Sequence, residues 1–117
     1  MTNKEKYELV KIATRELKKA FKGIGAHSYG YCCGSDYDAY HKNVNYDDYV
    51  DAKLYKGGLN NEFVSGVPQI GDCVHYSWNL TNFKLCDVLT VLKGVFGEDR
   101  VIAPINKSQT IQIVFDK

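Results

Sequence analysis

Several features that would classify a protein at once are missing from this sequence. No run approaches the roughly 18 consecutive apolar residues of a membrane-spanning helix, so no membrane partner is expected. Two prolines among 117 residues leave little room for an extended linker or a disordered tail. Four cysteines and three histidines are present, but no C-x-x-C or H-x-x-x-H spacing brings two metal ligands from one turn. Gly34-Ser35 and Gly57-Gly58 are followed by no P-loop lysine and serine in register, so both read as turns rather than phosphate cradles. The segment that starts at Asp36 lacks the central glycine and closing glutamate of a calcium-binding hand. A cysteine nucleophile needs an electropositive, partly open setting, and Asp36 and Asp38 oppose that beside Cys33. The sequence therefore reads as non-enzymatic and without a cofactor.

What is present belongs to an ordinary folded domain. The 117 residues are 44% hydrophobic and 25% charged, which suits a single domain with one core. Met1 to Arg15 reads as a charged helix without the apolar stretch of a signal peptide. A cytoplasmic protein with reduced thiols is the corresponding expectation.

The net charge of +1 conceals an uneven distribution. Residues 1–22 carry Lys4, Lys6, Lys11, Arg15, Lys18, Lys19 and Lys22 against three glutamates, a local charge of +4. Residues 36–51 carry Asp36, Asp38, Asp47, Asp48 and Asp51 against Lys42, a local charge of −4. Seven of the nine tyrosines lie between Tyr29 and Tyr55, interleaved with those aspartates. A tyrosine combines a flat apolar face with a polar tip at low entropic cost, and mixing with aspartate, asparagine and lysine is closer to a binding surface than to a core. Tyr37, Tyr40, Tyr46, Asp47, Asp48 and Tyr49 are the candidate partner-binding residues. The local negative charge favours a protein partner with a basic patch over nucleic acid, which is the lesser expectation.

The element pattern begins with Thr2 and Glu5, spaced as a capping box. Val10, Ala13, Leu17, Ala20, Phe21 and Ile24 recur at helical spacing, lysines crowd the last turn, and Gly23 ends the helix. His27 to Cys32 is the first strand candidate, and residues 34–45 lack a clear period. In Tyr49 to Tyr55, Val50, Ala52 and Leu54 share one side, which alone looks buried. Leu59 to Ile70 reads as a connection, and Cys73 to Trp78 as a third strand with Tyr76 in the core. Asn79-Leu80-Thr81 supplies a cap for a second helix striped by Leu85, Val88, Leu89, Leu92, Val95 and Phe96 and stopped by Gly97. Val101 to Pro104 and Thr110 to Phe115 form a closing hairpin across the polar link 106–109. The order α-β-β-β-α-β-β predicts an α+β two-layer sandwich, with two helices on one face of a mainly antiparallel sheet of about five strands.

A metal- or thiol-dependent alternative rests on Cys32, Cys33, Cys73 and His75, because Cys73 and His75 are two apart on a strand and point to the same side. In the plainer reading, with the free cysteines acting as small hydrophobes, Cys73 packs in the sheet and Cys86 lies on or beside the buried side of the second helix. The order of a helix, Tyr31-Cys32-Cys33-Gly34, a strand at Val74-His75-Tyr76, a helix ending at Gly97 and a closing hairpin resembles a bacterial family of unknown function with a double-cysteine strand after its first helix. The family's further cysteine, in a C-C-x-x-C-G pattern, has no counterpart here. In size and in its Lys, Asn and Tyr-rich composition the chain is also similar to small phage and mobile-element proteins, including anti-CRISPR inhibitors. That likeness implies inhibition by occupation of a partner's surface.

Overall fold

The computed structural model describes residues 1–28, 48–53, 63–64, 67–68, 70–106 and 109–116. The first helix, α1 (Asn3–Ala20), starts on the expected capping box. Thr2 Oγ1 accepts from the Glu5 amide at 3.1 Å, and the Glu5 carboxylate accepts from the Thr2 amide at 3.4 Å, which satisfies two donors that the first helical turn leaves open. Lys18 and Lys19 complement the dipole at the other end. Gly23 then turns the chain at a φ of 92°, a backbone conformation other residues rarely take.

The strands β1 (Gly25–His27), β2 (Tyr49–Lys53), β5 (Cys73–Asn79), β6 (Val101–Ile102) and β7 (Ile111–Val114) make one sheet in the order β1-β2-β5-β7-β6. The second helix, α2 (Leu85–Phe96), is followed by a short 3-10 turn, Glu98–Arg100. The α+β architecture is the expected one, with two differences in the sheet. β1 and β2 pair in parallel, so the sheet is mixed. The stretch expected to be a plain connection also holds a small separate hairpin, β3 (Phe63–Val64) against β4 (Val67–Pro68). β1 lies earlier than the expected strand, whose residues from Tyr29 onward are outside the described ones.

Register decides which side chains meet. Ala26 is opposite Val50, Val50 opposite Trp78, Ala52 opposite Tyr76, Tyr76 opposite Ile111 and Val74 opposite Ile113. Since strand side chains alternate, these residues share one face. That face carries the described core, together with Val10, Ala13 and Leu17 of α1 and Val88, Leu92 and Phe96 of α2. Phe96 sits between Tyr76 and Phe115, with ring centroids 6.4 and 6.0 Å away in edge-on geometry, an arrangement that ring quadrupoles favour. Both helices thus cover one side of the sheet.

Three local expectations need correction. α2 begins after Lys84, without a side-chain cap, rather than on the Asn79-Leu80-Thr81 segment. Thr81 is engaged elsewhere, as its amide and hydroxyl turn to Asp48. Cys86 is exposed on α2 instead of lying on its buried side. Gly97 does stop α2, at a φ of 98°. The closing hairpin forms with Val101 opposite Ile113 and Ile102 opposite Gln112, but the chain between its strands runs from Ala103 to Thr110, longer than the four-residue link expected.

Candidate functional site

Of the candidate partner-binding residues, Tyr37, Tyr40, Tyr46 and Asp47 lie outside the described residues, as do Cys32 and Cys33 of the metal alternative. Asp48, Tyr49, Cys73 and His75 are described, and they have different surroundings.

Asp48 is buried, at 4% exposure, immediately before β2. Its carboxylate accepts from the amides of Thr81 and Asn82 and from the Asn82 side-chain amide, at 3.0 Å for the Asn82 backbone and 2.7 Å for its side chain. Burial opposes ionisation of this carboxyl, but the hydrogen bonds from Thr81 and Asn82 outweigh it and hold the group below the usual carboxylate range. Asp48 therefore clamps the turn after β5 to the start of β2. A structural task accounts for every one of these bonds, and the carboxylate faces the chain's own turn rather than a partner. Tyr49 follows it as a half-buried residue on β2, opposite Asn79.

The sheet face away from the helices is polar. His27, Asp51 and Ser77 are in register across β1, β2 and β5. His27 Nδ1 lies 3.0 Å from Asp51 Oδ1, and Asp51 is fully buried. The sequence pattern put Asp51 on the side of β2 opposite Val50 and Ala52, and the register agrees, but the expectation that only the apolar side is buried fails here, since Asp51 is fully buried. The three residue types are those of a hydrolytic triad, but their order is not. The serine stands beyond the aspartate from the histidine, two strand spacings or roughly 10 Å away, so the imidazole is not positioned to take a proton from the hydroxyl.

The next row along β5 and β7 holds Cys73, His75 and Gln112. Cys73 Sγ is 3.4 Å from His75 Nε2, as the same-side expectation required. Gln112 Nε2 lies 3.1 Å from the same imidazole nitrogen, and Thr110 Oγ1 3.5 Å from Nδ1. Burial, followed by the negative charge of Asp72, pushes the Cys73 thiol above its ordinary range. A thiol held in its protonated form is a poor nucleophile despite the nearby base. Among the described residues, no three His, Cys, Asp or Glu side chains converge as a metal site would need.

Two surface features escaped sequence reasoning. Trp78, Leu80, Phe83, Leu85, Pro104 and Ile105 line an open cleft of about 330 Å³ at one end of the sheet, with Ile105 89% exposed at its rim. Leu9, Ile12, Ala20, Val91 and Val95 line a groove of about 670 Å³ between α1 and α2. Both arise where elements distant in sequence meet, so no local pattern announces them. No helix among the described residues is long and apolar enough to cross a membrane. Comparisons with protein-family models, with curated proteins and with solved structures find no match.

Proposed function

We propose that this protein is a small non-enzymatic interaction module, of the kind that inhibits by occupying a partner's surface, and that it docks on a protein through the Tyr- and Asp-rich segment between Tyr29 and Tyr55. The observation that carries this reading is the concentration of seven of nine tyrosines, with Asp36, Asp38 and Asp47, in that segment, a composition that suits a contact surface; Asp48 and Asp51 of the same stretch are buried and bonded within the chain.

Tyr37, Tyr40, Tyr46, Asp47 and Tyr49 are the contact residues in this proposal. Asp48 is left out because its carboxylate holds the Thr81-Asn82 turn. The test is affinity capture with the wild type and with a Tyr37→Ala, Tyr40→Ala, Asp47→Lys variant, with circular dichroism confirming that the variant is folded. Loss of a captured protein by a folded variant supports the proposal. Undiminished capture by that variant rules out the segment as the contact surface.

A second reading, as a cysteine- and histidine-based metal protein, is favoured by one distance. Tetrahedral zinc with a thiolate at about 2.3 Å and an imidazole at about 2.05 Å separates the two donor atoms by about 3.6 Å, against 3.4 Å between Cys73 Sγ and His75 Nε2, a nitrogen that Gln112 also approaches at 3.1 Å. Cys32 and Cys33 are the remaining ligands in that reading. Stoichiometric zinc in the purified protein, lost in Cys73→Ser and in His75→Ala, would favour it over docking.

A further inference from the structure

The cations of α1 are arranged on one side of the helix. Successive helical residues are rotated by about 100°, which places Lys4, Lys11, Arg15 and Lys18 within an arc of about 60°. Lys4, Arg15 and Lys18 are exposed, whereas Val10, Ala13 and Leu17 turn towards the core. The stripe runs about 21 Å along the helix axis at 1.5 Å per residue. Among the described residues, it contains one ion pair, between Lys11 and Glu8 at 2.6 Å. The Glu8 carboxyl reports the convergence, since it is held below the usual range chiefly by its bond to Lys11, with burial opposing and the charges of Lys11, Arg15 and Lys4 assisting. Four cations less one carboxylate leave a local charge of +3 on the stripe. Beside it Tyr7 packs half-buried against the core, and Lys11 Nζ sits over its ring, 4.9 Å from the centroid.

We propose that this face of α1 binds the phosphate backbone of single-stranded nucleic acid, independently of the Tyr- and Asp-rich segment. A row of like charge on a convex helix is matched by a partner that is itself a row of opposite charge. The stripe is as long as about six phosphates of one strand at the duplex spacing of about 3.4 Å, and fewer of an extended single strand. Its narrow arc of about 60° reaches one strand rather than two. An acidic protein surface would match the charge but offers no reason for the linear arrangement. With a net charge of only +1 for the chain, long-range steering is weak, so affinity on the order of 10 µM at low salt is the expectation.

The experiment is fluorescence anisotropy of a labelled oligothymidylate of about 15 nucleotides against the full chain, from about 50 to about 200 mM salt. Three net cations on a single strand give a slope of log affinity against log salt of about −2, a weakening of about fifteen-fold over that range. Combined Arg15→Glu and Lys18→Glu should cost about ten-fold or more at unchanged melting temperature. Glu8→Gln should act in the opposite direction and tighten binding about two- to three-fold, a gain that an unfolded variant does not mimic. The proposal is overturned by binding that ignores salt, by charge reversal without effect, or by equal or tighter binding to a duplex or to polyglutamate.

Discussion

The two faces of the five-stranded sheet are built from alternate residues of the same strands, yet they carry different physics. On the helix-covered face, Ala26, Val50, Ala52, Val74, Tyr76, Ile111 and Ile113 are all nearly or fully buried among apolar neighbours from α1 and α2. On the other face, His27, Asp51, Cys73, His75 and Gln112 are joined in polar pairs. A single β-strand period thus separates the part of the sequence that drives folding, through removal of apolar surface from water, from the part that holds ionisable groups. The contrast also shows why polar residues near each other are weak evidence of catalysis: His27, Asp51 and Ser77 share a row, but their order across the strands excludes the proton transfer that their identities suggest.

The comparison is broken most forcefully from the covered side. Phe96, 2% exposed and set between Tyr76 and Phe115, should cost about 3–5 kcal/mol as Phe96→Ala, read from a urea titration at unchanged slope. A cost below about 1 kcal/mol would mean that this face is not the core.

On the polar face, Asp51→Ala removes a fully buried carboxylate and the acceptor facing His27 Nδ1. The expected loss is about 1.5–3 kcal/mol. A double-mutant cycle with His27→Ala then measures the coupling, and strict additivity would show that the pair is incidental.

Asp48 gives a smaller, pH-dependent effect of fixed sign. Its folded-state pKa is depressed below the ordinary 3.8, so its stabilisation is present in full above that value and is lost as pH falls through the lower, folded value. Asp48→Asn should lower stability at pH 7 and flatten this acid limb. An acid limb identical in wild type and variant would show that the turn does not rely on the carboxylate.

The covered face also contains two polar atoms, the Tyr76 hydroxyl and Trp78 Nε1, that are buried and make no hydrogen bond among the described residues. Burial accordingly pushes the phenol well above its ordinary range. Tyr76→Phe should therefore leave stability unchanged or raise it by about 1 kcal/mol. A loss greater than that would reveal a partner for the hydroxyl.

How much of this was legible in the sequence depended on the range of each interaction. The capping box at Thr2 and Glu5, the stripe of α2 and the stop at Gly97 are local, and each was readable from residues within one or two turns. The burial of Val50, Ala52 and Tyr76 followed from strand alternation. The parallel pairing of β1 with β2 was not readable, because local periodicity is silent about a strand's neighbour. The same limit concealed the role of Asp48, which bonds to residues more than 30 positions away and so occupies the Thr81 that local reasoning took as a helix cap. Within the candidate site, alternation correctly brought Cys73 to His75. It missed Gln112 and Thr110, which reach the imidazole from β7 and the residue before it.

The decisive contrast is between the covered core and the Tyr-rich segment, and it is measured by thermal unfolding of a Tyr37→Ala, Tyr40→Ala, Tyr46→Ala variant. Rings that serve as a docking face contribute little to folding, so the melting temperature should stay within about 4 °C of the wild type. A fall of more than about 10 °C would place those rings in the interior and contradict the proposed contact surface.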